Sequence, residues 1–130
     1  MFDFFSQYQG YLADWMPRLI AGVRVTAALS VLGFSLALLL GAVLAAAVGS
    51  KRRWLSAPAT SLVQVMRAIP LLALLLSLYF GLPPLGITLS GFWAGVLGLG
   101  MGGSAYVAEI IRAAWRRCIA ASVKQRWRRA

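Results

Sequence analysis

The run Leu29–Gly49, LSVLGFSLALLLGAVLAAAVG, decides the fold class. It holds no charged residue and no proline. About 20 apolar residues cross the ~30 Å hydrocarbon layer of a bilayer as a helix. A helix also satisfies its backbone polar groups internally, as lipid demands. A first transmembrane helix is therefore predicted from about Leu19 to Gly49, with Arg24 near its start and able to snorkel outward. Gly41, Ala45 and Gly49 recur at every fourth position. Such a stripe lets two helices approach closely, although Gly and Ala are also common throughout membrane helices. Lys51, Arg52 and Arg53 stop the span.

Downstream, a second span is predicted from about Ala57 to Leu82. Its first half, SLVQVMRAIP, is mixed, and its second half, LLALLLSLYFGL, is strongly apolar. Arg67 and Pro70 mark the change. Pro70 lacks an amide donor and should kink the helix or open its hydrogen-bond ladder. An arginine at the bilayer centre costs about 2.5–3.5 kcal/mol on insertion scales. Arg67 therefore either snorkels to an interface or faces other helices or water. The string Gly81-Leu82-Pro83-Pro84-Leu85-Gly86 reads as a tight turn, making spans two and three antiparallel neighbours. The third span, from about Leu89 to Ala114, contains the GxxxG pairs Gly91/Gly95 and Gly98/Gly102, which favour close helix packing. Glu109 and Arg112, three residues apart, can pair on one face.

Upstream, Phe2, Phe5, Tyr8, Leu12 and Trp15 fall at helical spacing among Asp3, Gln7, Gln9 and Asp14. This fits either an interfacial amphipathic segment or a plain leader into the first span. The N-terminus lacks the basic region of a cleaved signal peptide. At the other end, WRRCIAASVKQRWRRA (115–130) is strongly basic and unlike the rest of the chain.

Composition agrees with the spans. Apolar residues make up 61% of the 130, against roughly 45–50% in soluble domains, and mean hydropathy is +0.79. Thirteen Lys and Arg against three Asp and Glu give a net charge of +10. Because the basic residues flank apolar runs, they point to membrane topology and anionic lipid rather than nucleic acid. The single cysteine, Cys118, excludes an internal disulfide, and the absence of histidine removes the commonest metal ligand and general base. With three scattered carboxylates the chain is poorly equipped for catalysis, and no cofactor or metal is expected. The fold expected is an all-α membrane protein: an interfacial segment 1–17, a membrane part 18–114 with three transmembrane helices, and a basic tail 115–130. Two spans separate the clusters Lys51–Arg53 and 116–129, so both should lie on the cytoplasmic side, with the N-terminus outside. Arg18 is a minor dissent.

Three strings in this order, MRAIPLL (66–72), YFGLPPLGITLS (79–90) and AYVAEIIRAA (105–114), closely resemble the membrane-spanning permease subunits of bacterial ABC importers for polar amino acids. There a span reads R-G-T-P-L-L, then Y-F-G-L-P, then a span ending A-Y-x-A-E-x-x-R. PRLIAGVRVTAALSVLGFSLALLLG (17–41) is similar to the segment upstream, so the resemblance covers roughly residues 10–114. It implies three helices of a five-helix type I importer core in the bacterial inner membrane. It also implies a second permease subunit (the same or different), a cytoplasmic ATPase dimer that hydrolyses ATP, and a periplasmic amino-acid-binding protein. The permease itself does no covalent chemistry. On this resemblance Arg67, Pro70, Gly98 and Gly102 are candidate pathway or helix-packing residues, and Glu109 and Arg112 sit at the cytoplasmic edge.

The chain departs from that family after Ala114. The expected loop, with a Gly-Gln pair and an EAA motif that docks the ATPase, is replaced by the basic tail. One allowed set of codons for Trp115–Ala130, read from its third base, translates as EAVHRGQCEAAVA. This string contains both missing features, so the tail is expected to be out-of-frame translation of a permease gene. The chain as printed is then expected to be an uncoupled, poorly stable, truncated fragment. A genuine basic lipid anchor is the competing reading of the tail. For the whole chain the competitor is a self-contained three-span membrane protein, holin-like or channel-forming.

Overall fold

The computed structural model describes the backbone of residues 2–128 and the side chains of residues 14–118. The side chains of the aromatic stripe from Phe2 to Leu12, and those of the tail beyond Cys118, lie outside the described set. Every regular element among the described residues is helical: α1 (Phe2–Val48), α2 (Arg53–Ala68), α3 (Leu71–Gly81), a 3-10 turn (Pro83–Leu85) and α4 (Gly91–Arg128). α1 runs through Pro17 without a break, and α4 continues past Ala114 into the basic tail.

α1 and α4 form the backbone of the fold, and they run parallel. Leu29 lies against Gly95, Gly33 against Leu99, Leu36 against Gly100, Ala37 against Gly103, and Gly41 against Ser104 and Val107. Glycines on both helices bring the axes together. A Cβ added at Gly41 would meet Val107 at 2.6 Å and the Ser104 carbonyl oxygen at 2.9 Å. The Gly41/Ala45/Gly49 stripe lies on this seam, with Ala45 only 2% exposed and Gly49 near Trp115. The parallel arrangement puts Lys51–Arg53 at the same end of the bundle as Arg112, Arg116 and Arg117.

A sharp corner at Gly49–Arg52 leads into α2. The Ser56 hydroxyl donates to the Val48 carbonyl at 2.8 Å and ties the first turn of α2 to the end of α1. α2 then crosses the seam, inserting Val63 among Ala45, Ala105 and Ala108. Small residues on α1 and α4 leave room for it.

In the stretch 57–82 the defect expected at Pro70, a kink or an opened ladder, takes the form of a break. α2 and α3 are separate helices bent by 96° at the break. The residue before a proline is pushed out of the α region by the Pro ring, and Ile69 is extended, with φ −80° and ψ 124°. Pro70 is extended as well and starts α3 as its cap residue. Among the described residues two helices are long and apolar enough to cross a membrane, or three spans are present if the bent pair is one. α3 returns along α4, with Leu71 at Gly102, Leu75 at Gly98 and Tyr79 at Gly91. The Pro83–Leu85 turn ends at Gly86, whose φ of +81° is the left-handed geometry that favours glycine. Large apolar side chains remain outside this packing: Leu39 is 68% and Val43 67% exposed. A surface of that kind is matched by lipid.

Candidate functional site

The break between α2 and α3 brings together most of the residues singled out in the sequence. Leu71, the first residue of α3, lies against Gly102. On α4, Gly102 falls midway between Trp93 near the start of the helix and Arg112 at the basic end. The break therefore sits near the middle of the apolar layer. Any helix opens with amides that have no intrahelical acceptor. Here the first bond into the new helix is Leu74 N–H to the Pro70 carbonyl at 3.1 Å, and no side chain caps the start. Leu71, Leu72 and Ala73 thus present free amides at the break.

Arg67, in the last turn of α2, is exposed and extends over the ring of Tyr106, 5.6 Å from guanidinium carbon to ring centroid. A cation over an aromatic face contributes about 0.5–1 kcal/mol at an exposed site. Tyr106 was not singled out in the sequence. Its signal was available, since Gly98, Gly102 and Tyr106 stand four apart and share one face of α4. A crevice of about 190 Å³ opens between the break and α4, lined by Met66, Ile69, Leu74, Leu99, Gly102 and Tyr106. Its walls are apolar, and the Arg67 guanidinium lies beside it over Tyr106.

Gly98 and Gly102 both face α3 rather than α1, and Gly102 also lines the crevice. A Cβ at Gly102 would meet the Leu71 side chain at 2.9 Å. Glu109 and Arg112 are not part of this cluster. They form an ion pair of 3.1 Å one turn apart on α4, each partly exposed, toward the basic end. Among the described residues no group of three or more His, Cys, Asp or Glu is placed to hold a metal ion.

No family model matches the chain. Individual proteins do. A probable amino-acid ABC transporter permease protein of Sinorhizobium fredii is 40% identical over 97 residues, covering 75% of this chain and 42% of the relative. The arginine transport system permease protein of Bacillus subtilis is 38% identical over 102 residues, 75% of this chain and 45% of its own. A crystal structure of an amino acid ABC transporter with histidines superposes with a TM-score of 0.76 at 37% identity, over 79% of this chain and 48% of that one. The chain spans about half the length of the relatives it matches. These matches favour a permease over a self-contained small membrane protein, and the described helices are apolar and long enough for a membrane protein. Over its matched part the chain is similar in sequence and fold to the permease subunits of amino-acid ABC transporters.

Proposed function

We propose that the chain supplies part of the translocation path of an ATP-driven importer of polar amino acids in a bacterial inner membrane. One observation carries the placement of the path: the second span is broken at mid-depth beside Arg67. Non-helical backbone at that depth is tolerated where it is buried in protein or lines a water-filled cavity. Discontinuous helices near the midplane, with positive N-terminal ends toward anionic groups, are a recurring way to hold a solute in transporters. Every α-amino-acid cargo carries a carboxylate. The free amides of α3 and the Arg67 guanidinium are the chemistry that would receive it, with the α-amino group and side chain turned to the partner half of the path.

The chain then works with a second permease subunit, identical or different, a cytoplasmic ATPase dimer that performs the hydrolysis, and a periplasmic binding protein. The excess of Lys and Arg at one end of the bundle supports placing that end, with the C-terminus, in the cytoplasm and the N-terminus in the periplasm. Glu109 and Arg112 lie toward that end and lead to the place where the ATPase would dock. Residues 115–130 fit the reading as out-of-frame translation, since one allowed set of codons for them, read from the third base, encodes the Gly-Gln and EAA features.

The first test is the DNA across the codons for Ile111 to Trp115 and onward. A frame continuing through two further apolar spans is expected; a frame that closes after Ala130 with nothing membrane-like downstream in any frame overturns the reading. In the frame-continuous gene with its partner subunits, Arg67→Ala should abolish most uptake of labelled amino acid and Arg67→Lys should retain part of it. Equal uptake by both variants and the parent would remove Arg67 from the path.

A further inference from the structure

α1 is too long for the membrane that α4 defines. On α4 the apolar layer is bounded by Trp93 at one end and Arg112 at the other, nineteen residues on. At about 1.5 Å per residue that is about 28 Å, close to the ~30 Å of a hydrocarbon layer. The parallel register carries these limits across to α1. With Leu29 at Gly95 and Gly49 near Trp115, the layer on α1 runs from about Ala27 to Ala46. The helix of α1 nevertheless continues upstream of Ala27, and from Asp14 to Val48 it covers 35 residues, about 52 Å. Fitting all of it inside the layer would require a tilt of about 55°, beyond the 0–40° seen for membrane helices, and would break the seam with α4. Residues 14–26 therefore project beyond the layer, at the end opposite the basic clusters.

The projecting part is amphipathic. Met16, Leu19, Ile20 and Val23 follow the spacing of one helix face and are 48%, 58%, 48% and 67% exposed. Asp14, Arg18, Ala21 and, at the membrane end, Val25 fall on the opposite face, and Arg24 lies at its flank. No other described element covers either face, since every residue from Asp14 to Ala28 is exposed. Where this part meets the span, α1 carries a place to bend. A Cβ at Gly22 would meet nothing within 4 Å. The Thr26 hydroxyl donates to the Gly22 carbonyl at 3.0 Å, a back-bond that bends helices.

We propose that residues 14–27 of α1 form an interfacial anchor, bent at Gly22–Thr26 onto the membrane surface. The Met16/Leu19/Ile20/Val23 face enters the acyl boundary, and Arg18 and Arg24 reach lipid phosphates. The occupant of this face is lipid because the face continues from the membrane surface itself, and because its flanking charges are the cations that anionic headgroups attract.

The test places one nitroxide at a time on the full chain with Cys118→Ser, in vesicles of phosphatidylcholine and phosphatidylglycerol. The variants are Leu19→Cys, Ile20→Cys, Ala21→Cys and Val23→Cys. Val43→Cys, on the lipid-facing side of the span, reports that the chain is inserted. Collisions with oxygen report lipid, and collisions with a water-soluble nickel chelate report solvent. The expected result is an oxygen-to-nickel ratio several-fold higher at 19, 20 and 23 than at 21, with 43 higher still. Uniform access to nickel at 19–23 overturns the proposal in favour of a helix standing in water. Protection from both reagents overturns it in favour of a protein partner or second copy. Oxygen access as high at 21 as at 43 overturns it in favour of a deeply tilted span.

Discussion

The α1–α4 seam and the α2–α3 pair are built in opposite ways. In the seam, glycines and alanines from two long parallel helices interlock, and buried residues such as Ala45, Ala105 and Ala108 are small. In the pair, a proline divides one span into two short helices, and α3 buries no residue at all among those described. Lipid tails are as apolar as leucine, so hydrophobicity does not draw helices together in a membrane. Close approach does, and only the seam has it along its whole length. The fold thus joins a rigid part with a loosely held one, and its polar chemistry lies in the second.

The strongest way to break this contrast is to fill the seam. Gly41→Leu places a side chain where even a Cβ is too close to Val107 and the Ser104 carbonyl. Overpacking costs typically about 1–3 kcal/mol, and a backbone neighbour that cannot move puts this case at the top of that range. The amount of chain folded in native membranes should fall severely, whereas Gly22→Leu, in open space, should leave it unchanged.

Next in size is Pro70→Ala, which restores an amide and frees Ile69 to enter the α region. If the break depends on Pro70, α2 and α3 should partly merge. Labels at Trp54→Cys and Phe80→Cys in a Cys118→Ser chain would then move toward the about 39 Å of a continuous helix. An unchanged separation would mean that packing of α2 across the seam sets the bend instead.

Smaller effects are expected at the break itself. Tyr106→Leu removes the ring beneath Arg67 while keeping an apolar volume. It should cost no more than about 1 kcal/mol of stability, read as a slight shift in thermal unfolding in detergent, so that a large loss would show Tyr106 packing the core. Smallest is Glu109→Gln. A partly exposed pair one turn apart contributes about 0.2–0.5 kcal/mol, and unfolding should be indistinguishable from the parent in high salt.

The all-helical apolar fold, the tight turn before Gly86 and the shared end of the two basic clusters were all legible in the sequence, because run length, Gly-Pro density and charge placement each act locally. The 96° turn was not. Pro70 announces a defect, but its angle depends on where Val63 finds room between Ala45 and Ala105, a contact between residues far apart in the chain. The partners of the glycines were hidden for the same reason. Gly98 and Gly100 are two residues apart yet face α3 and α1 respectively, and spacing alone does not say which face meets which neighbour. Tyr106 escaped because an aromatic in an apolar helix looks like filler until the arginine above it is placed.

The hydroxyl of Ser56 on the Val48 carbonyl has a mechanical consequence. It fixes one end of α2 to the last turn of α1. One turn before Arg67, Val63 fixes the other end among Ala45, Ala105 and Ala108. α2 is then a strut clamped at both ends, 16 residues or about 24 Å long. A displacement of the corner at Gly49–Arg52 is carried along its length to Arg67, and the joint at Ile69 and Pro70 is where it can be absorbed.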